Sequence, residues 1–480
     1  MILARGFDRT VGLISTMILA RLLAPDDFGV IAMAMSIIAM LNLLRAFGLD
    51  VVLIQHQQPE RVHYDTAWTM NILVSIVVAA TLIALAKPVA IFYQEPDLIT
   101  VMTFLGLAPF IESLRNIGVI DFRRNLEFDR EFRLMFAARL SSFVVTVPLA
   151  FALRNYWALV GGMLFGRVAE VALSYAMHRY RPRLSLVAWR ELFGFSKWLL
   201  LKNLVQLLIS RSGDLVIGRV VGTRELGLFN VSNEIASMPS TEIAAPINRA
   251  LLPGFARQAS DPAALRLSFL NVVSMLTLVT LPLGVGLMLT GHLIVPILLG
   301  SKWLEAIPFI PILALNGLLM SLGSNTGSFL LAIGKTHYVF ALAVVKLAVL
   351  APALIIGTLQ AGAIGAAWAY VLSTLMVIPI SYGIILKRLD LRVTHLLARI
   401  WRPASGIAVM TICVRLVSEE LPVPSDTMAM ITHLVLIAAI GAISYGSTVF
   451  LLWNASQRPT GAERFLLDRL ADQLQRFRSR

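Results

Sequence analysis

Charge is the first thing this chain lacks. Of its 480 residues 14% are Asp, Glu, Lys or Arg, against about 25% in an average soluble domain. The deficit falls in repeated apolar stretches long enough to cross a hydrocarbon core of roughly 30 Å. With 58% hydrophobic residues and a mean hydropathy of +0.78, a soluble protein is excluded. A single cysteine, Cys413, excludes an internal disulfide and reads as a small buried hydrophobe. None of the seven histidines stands at i, i+4 from another, which excludes an HExxH metal site. Gly334-Lys335-Thr336 ends like a phosphate-binding P-loop, but Phe329 stands where the loop's first glycine belongs, so ATP hydrolysis is not expected. No small-residue cleavage site precedes Arg21, and the first apolar segment reads as a retained helix.

What is present is a series of apolar segments. The pattern predicts spans at residues 2–24, 28–48, 66–86, 98–120, 134–153, 156–177, 198–221, 228–250, 266–290, 306–332, 338–358, 363–386, 403–418 and 427–453. An all-α integral membrane protein with about fourteen transmembrane helices follows. The formal net charge of +13 would suggest nucleic acid in a soluble chain; here it is explained by cationic loops, and nucleic acid is not expected. Arg123, Arg124, Arg130 and Arg133 follow the fourth span, Arg179 to Lys197 the sixth, and Lys387 to Arg402 the twelfth. About 25 basic residues collect on one side and about 4 on the other, which places those loops and both termini in the cytoplasm. Leu466, Leu470, Leu474 and Phe477, set among arginines, make the tail a basic amphipathic helix for the inner-leaflet lipid surface.

Residues 18–37 can be laid on 216–235, so that Arg21 meets Arg219, Asp27 meets Glu225 and Gly29 meets Gly227. The copies start six spans apart and share one orientation, as parallel repeats do. This gives a six-helix lobe at 1–178, a second at 179–386, two appended helices at 387–453 and the tail at 454–480, with the lobes around a central cavity.

Charge inside spans is costly, about 2.5–3.5 kcal/mol at mid-membrane on insertion scales. It is nonetheless frequent in the first eight: Asp8, Arg9, Arg21, Arg45, Glu112, Arg115, Arg139, Arg167, Glu170, Lys202, Arg211, Asp214, Arg219, Glu234, Glu242 and Arg249. Some of these side chains snorkel to an interface, and Arg167 with Glu170 and Arg211 with Asp214 stand three apart as neutralising pairs. Neither account covers the excess of cations. Arg9, Arg45, Arg115, Arg167, Lys202 and Arg211 are therefore the candidate contacts for an anionic ligand such as a diphosphate. Asp8, Asp50, Asp214, Glu234 and Glu242 are candidates for coupling to a proton or sodium gradient; no cofactor, metal or catalytic residue is expected. Gly162 and Gly166 form a GxxxG suited to close helix packing. Asp26 and Asp27 in the first external turn would suit a membrane glycosyltransferase, but external loops are short and Pro25-Asp26-Asp27 also reads as a helix break and cap.

The stretches 20–34 (ARLLAPDDFGVIAMA), 48–55 (GLDVVLIQ), 214–239, 247–258 and 298–315 resemble the polysaccharide-transporter, or Wzx-type O-antigen flippase, branch of the multidrug/oligosaccharidyl-lipid/polysaccharide exporter superfamily. The resemblance implies two lobes in a V, alternating access, residence in the inner membrane and an undecaprenyl-diphosphate-linked oligosaccharide as cargo. By comparison with related lipid II flippases, Arg9 and Arg45 fall on diphosphate-binding positions and Asp50 on an acidic one. The family implies a monomer working beside a polysaccharide polymerase and glycosyltransferases. An ion-coupled drug exporter of the same fold is the alternative, and would want an anionic cavity. Relatives carry a longer stretch before the first helix, which leaves the native start open.

Overall fold

The computed structural model describes residues 2–45, 53, 59–189, 197–244, 247, 254–255, 257–258, 261–420, 426–459 and 461–464, and among them the side chains of all but 2–10, 13, 44 and 197–203. Every element among the described residues is helical. In chain order these are α1 (Ile2–Leu22), α2 (Pro25–Asn42), α3 (Arg61–Tyr93), α4 (Leu98–Leu105), α5 (Ala108–Ser113), α6 (Ile120–Arg124), α7 (Phe128–Leu153) and α8 (Trp157–Met177). They continue as α9 (Lys197–Val220), α10 (Thr223–Ala236), α11 (Pro262–Leu298), α12 (Phe309–Ala332), α13 (Thr336–Leu389), α14 (Val393–Glu420) and α15 (Thr427–Ala455). The chain divides into two compact units, Met1–Asn230 and Val231–Arg480.

In the first unit, Pro25 opens α2 with a preset φ, and Asp27 Oδ2 accepts the Ala24 N–H at 2.8 Å. Asp27 Oδ1 accepts the Tyr156 N–H at 2.9 Å, so one carboxylate joins the start of α2 to the start of α8. The acidic turn is thus a cap, as its Pro-Asp-Asp sequence suggests. α7 and α8 pack through the GxxxG: a Cβ on Gly162 would lie 1.7 Å from Thr146 Oγ1, and one on Gly166 would lie 2.9 Å from Ser142 Cβ. Ser142 Oγ donates to the Gly162 carbonyl at 2.9 Å, a polar tie of the kind that holds helices together in lipid.

The expected continuous fourth span is instead broken into α4, α5 and α6, with a bend of 69° between 97–113 and 117–124. Pro109 starts α5, and Asn116 leaves the helical region to cap a short turn, its Oδ1 accepting the Gly118 N–H at 3.0 Å. Asn116 Nδ2 also donates to the His178 and Tyr180 carbonyls at 3.2 and 2.7 Å. These bonds begin a strap. The basic segment after α8, expected as a plain loop, runs along α3: Tyr180 Oη donates to Asp65 at 2.7 Å, the Arg183 N–H to Asp65 at 2.9 Å and the Ser185 N–H to Thr69 Oγ1 at 2.9 Å.

In the second unit α11 packs on α12, α14 and α15, and α12 on α13. Asp261 caps α11 by accepting the Ala263 and Ala264 N–H groups, and Asp426 caps α15 by accepting those of Met428 and Ala429. α13 contains a break at Ala361–Gly362, where Gly362 takes φ +60 and ψ −147, a conformation favoured by glycine. A Cβ on Gly365 would lie 1.9 Å from the Gly357 carbonyl oxygen, so the chain doubles back there, between the eleventh and twelfth expected spans. The thirteenth expected span, 403–418, is the longer helix α14, Val393–Glu420. Its added turns carry Arg402, which is buried against Glu463. Past α10 a π-helical turn, Pro239–Ala244, replaces the second half of the expected eighth span, whose remainder falls largely outside the described residues, as do the tail helix at Leu466–Phe477 and Asp50.

Large apolar side chains face outward all along the helices, among them Val77, Val144, Ile355, Leu375, Ile412, Val435, Ile443 and Leu451. On a soluble protein such a surface would aggregate; here it faces lipid. Nine described helices are long and apolar enough to cross a membrane, ten with the bent pair at 97–124, against the fourteen expected. α1 and α9 fall outside that number because of the charges their sequences carry, and α10 because it is short.

Candidate functional site

Three of the six candidate cations come together in the first unit. Arg45 closes a 3₁₀ turn after α2, Glu112 lies on α5, Arg115 follows it, and Arg167 and Glu170 lie one turn apart on α8. Arg45 Nη1 reaches Glu112 at 3.5 Å, and Arg167 reaches the same carboxylate at 3.8 Å. Arg167 then meets Glu170 at 3.3 Å, and Glu170 accepts from Arg115 at 3.0 Å. The result is an alternating ladder, Arg45–Glu112–Arg167–Glu170–Arg115, of three guanidinium groups and two carboxylates among the described side chains.

The break in the fourth span makes the ladder. A straight helix through Glu112 and Arg115 would carry both on one face, whereas the end of α5 at Ser113 lets Glu112 serve Arg45 while Arg115 serves Glu170. Arg45 is the least exposed member, with 12% of its side chain accessible. Its Nη1 also donates to Asn42 at 3.3 Å, and its Nε is buried without a hydrogen-bond partner among the described residues. A buried donor left unmade costs about 1–3 kcal/mol, more when charged, and an entering anion would satisfy it. Beside the Arg115–Glu170 end lies a small, partly open pocket, bounded also by Phe122, Arg123, Glu131, Leu134 and Met135. Arg123 and Glu131, which the sequence reading did not connect, form an ion pair across α6 and α7 at its wall.

Arg211 is placed differently. It pairs on its own helix with Asp214 at 3.1 Å, and Asn230 donates to the other oxygen of that carboxylate at 3.0 Å. Asp214 is buried, and both of its oxygens are engaged. The i, i+3 neutralising pairs read from the sequence therefore form at both 167/170 and 211/214. Glu234 lies on α10, and Glu242 on the π-helical turn, exposed and accepting from Thr241 Oγ1 at 2.8 Å. Asp8 and Arg9 fall within α1 and Lys202 within α9, outside the described side chains.

Outside the spans, His178 ends α8 with its pKa lowered, first by burial, against the pull of Asp121. Its Nδ1 accepts the Tyr180 N–H at 3.2 Å, which identifies that nitrogen as the unprotonated one.

The model of the family described as "Polysaccharide biosynthesis protein" matches residues 18–308. The chain belongs to that family. It is a multi-pass membrane protein of that polysaccharide-biosynthesis family. Among its relatives is the lipopolysaccharide biosynthesis protein WzxC of Escherichia coli, 28% identical over 389 residues that cover 78% of this chain and 77% of WzxC. The succinoglycan biosynthesis transport protein ExoT of Rhizobium meliloti is 24% identical over 465 residues, 95% of this chain and 90% of ExoT. In fold the chain is similar to the lipid II flippase MurJ in an inward closed conformation, with a TM-score of 0.78 at 12% identity over 95% of this chain and 99% of MurJ. It is also similar to an inward-facing multidrug transporter of the MATE family, with a TM-score of 0.59 at 13% identity over 80% and 94%.

Proposed function

We propose that this protein flips an undecaprenyl-diphosphate-linked oligosaccharide from the cytoplasmic to the periplasmic leaflet, by alternating access of two six-helix lobes in parallel repeat. The observation that carries the reading is the ladder of three arginines, with the buried Arg45 Nε that has no hydrogen-bond partner among the described residues. Without cargo, Glu112 and Glu170 hold the three guanidiniums; a diphosphate, with more negative charge and a geometry suited to bidentate bonds, competes for them. Arg45, Arg115 and Arg167 form the core of the proposed site, with Arg9, Lys202 and Arg211 extending it. Asp214 leads the coupling candidates Asp8, Asp50, Glu234 and Glu242, because its carboxylate is buried and held by an arginine that an anionic cargo could draw away. A drug exporter of this fold would want the opposite sign of charge.

In this reading the chain crosses the inner membrane fourteen times with both termini in the cytoplasm. It acts as a monomer between glycosyltransferases that build the cargo and a polymerase that consumes it. The test is complementation of a deletion strain by Arg45→Ala and Arg45→Lys at equal protein level. Hydrogen bonds to charged groups contribute about 1.5–3 kcal/mol, so the alanine variant loses roughly ten- to a hundredfold of surface polysaccharide output. The lysine variant recovers part, because it keeps charge without the fork. Full output from Arg45→Ala would remove the ladder from the site.

A further inference from the structure

Two polar side chains, Thr66 and Thr69, stand on a face of α3 that otherwise meets lipid. Leu73, Ile76 and Val77 are exposed on that face, and Thr66 and Thr69 lie at i−7 and i−4 from Leu73, on the same helical stripe. Both threonines are nevertheless buried, because the strap that follows α8 lies over them. The Ser185 N–H donates to Thr69 Oγ1 at 2.9 Å and the Ala188 N–H to Thr66 Oγ1 at 3.3 Å. Backbone at membrane depth needs such partners. The strap follows α3 inward and then turns back: Arg61 Nη2 donates to the Arg181 carbonyl at 3.1 Å, the Arg183 N–H is held by Asp65, Ser185 by Thr69 and Ala188 by Thr66. At about 1.5 Å per residue, Ser185 lies about 12 Å further along α3 than Arg181. The outward side of the strap changes character with that depth. Arg179, Arg181 and Arg183 are exposed where it is shallow, and Leu184, Leu186, Val187 and Trp189 where it is deep, Leu184 and Val187 by 75% and 81%. Arg181 is engaged internally, its guanidinium donating to the carbonyls of Tyr175, His178 and Tyr180. The guanidiniums of Arg179 and Arg183 make no hydrogen bond or ion pair among the described residues.

We propose that the outward side of the strap binds an anionic phospholipid of the surrounding bilayer, with Arg179 and Arg183 holding the headgroup phosphate and Leu184, Leu186, Val187 and Trp189 lying along the acyl chains. Cations at the shallow end and apolar side chains at the deep end repeat the order of headgroup and hydrocarbon in a phospholipid. Two guanidiniums without carboxylate partners favour an anionic headgroup over a zwitterionic one, and a tryptophan at that level suits the membrane interface. The exposed apolar side chains continue the lipid-facing stripe of α3, a position that a soluble partner would have to enter the bilayer to reach. The site is independent of what the protein carries.

The experiment uses the full chain with Cys413→Ser and Val187→Cys, so that the one thiol carries an environment-sensitive fluorophore on the strap. The protein is placed in phosphatidylcholine nanodiscs that contain the same minor fraction of either brominated phosphatidylglycerol or brominated phosphatidylcholine. Two arginines near the surface enrich an anionic lipid by roughly an order of magnitude, so brominated phosphatidylglycerol quenches the label about threefold more than brominated phosphatidylcholine does, while aqueous iodide quenches little. Arg179→Gln/Arg183→Gln brings the two lipids level and leaves the melting temperature unchanged, because neither guanidinium has a partner among the described residues. Inorganic phosphate leaves the preference in place. Equal quenching by the two lipids with both arginines present would overturn the anionic site. A preference abolished by inorganic phosphate would make the arginines a site for free phosphate instead. Iodide quenching stronger than that of either lipid would mean that the strap faces water and fits a soluble partner, which also overturns the proposal.

Discussion

Replacing Arg402 by alanine should be among the most damaging single changes in the second unit. Arg402 and Glu463 are 4% and 5% exposed, and Nε and Nη2 of the arginine both lie 2.8 Å from Glu463 Oε1. Removing the arginine strands a buried carboxylate whose Oε2 is already without a hydrogen-bond partner among the described residues. Breaking one side of a buried pair costs about 3–5 kcal/mol. At about 2–4 °C per kcal/mol for a unit of 150–250 residues, the melting temperature should fall by roughly 6–20 °C, read in detergent at one scan rate because such unfolding is irreversible. The double variant Arg402→Met/Glu463→Leu removes both charges and should recover most of the loss, since apolar replacements of buried pairs are often neutral or better. Because Ala462 packs with Leu293, Met410 and Ile437, the single variant should also open the 454–464 segment to protease. Unchanged melting of Arg402→Ala, or a double variant as unstable as the single, would refute the reasoning.

Gly162→Leu should abolish the α7–α8 seam, because even a Cβ would overlap Thr146 Oγ1 at 1.7 Å; protein level in membranes should drop severely, while Gly161→Leu, facing only Leu149 at 3.0 Å, should be milder. Asp27→Ala leaves the Ala24 and Tyr156 N–H groups without their acceptor and should cost about 0.5–2 kcal/mol, read as a lower melting temperature. The strap should loosen in acid. His178 has a folded pKa below its ordinary value of 6.5, so its contribution is present above 6.5 and is lost as the pH falls from there toward the folded pKa. Protonation also removes the Nδ1 acceptor from the Tyr180 N–H. Amide protection factors at 180–188, which correct for the slower intrinsic exchange in acid, should fall between pH 7 and pH 5 in the wild type and change little in His178→Gln.

What could be read beforehand was whatever is encoded locally. The GxxxG at 162–166, the Pro-Asp-Asp cap and the i, i+3 pairs at 167/170 and 211/214 all act within a few residues of themselves, and all form. What was missed needs partners distant in the chain. Arg45 and Glu112 are 67 residues apart, Arg115 and Glu170 55, and Arg402 and Glu463 61. No spacing rule links them. The same cause shortened the thirteenth span: Arg402 read as a loop charge because the carboxylate that lets it be buried lies beyond the next helix. The bend in the fourth span was hidden in Asn116, whose cap depends on carbonyls of the strap at His178 and Tyr180. Nor does any spacing rule say that Gly29 would lie against the backbone of Thr223 and Gly227 against that of Pro25.

A flippase that moves a finished lipid-linked saccharide and makes no bonds in it leaves one signature when it is lost. The most direct measurement is the sidedness and completeness of the lipid-linked repeat unit in a deletion strain, determined from lipid extracts and from accessibility to a saccharide-modifying reagent that does not cross the membrane. A complete unit is expected, shielded in intact spheroplasts and exposed once they are opened, with long-chain surface polysaccharide reduced. A truncated saccharide in the extracts, or a complete unit already accessible from outside, would contradict it.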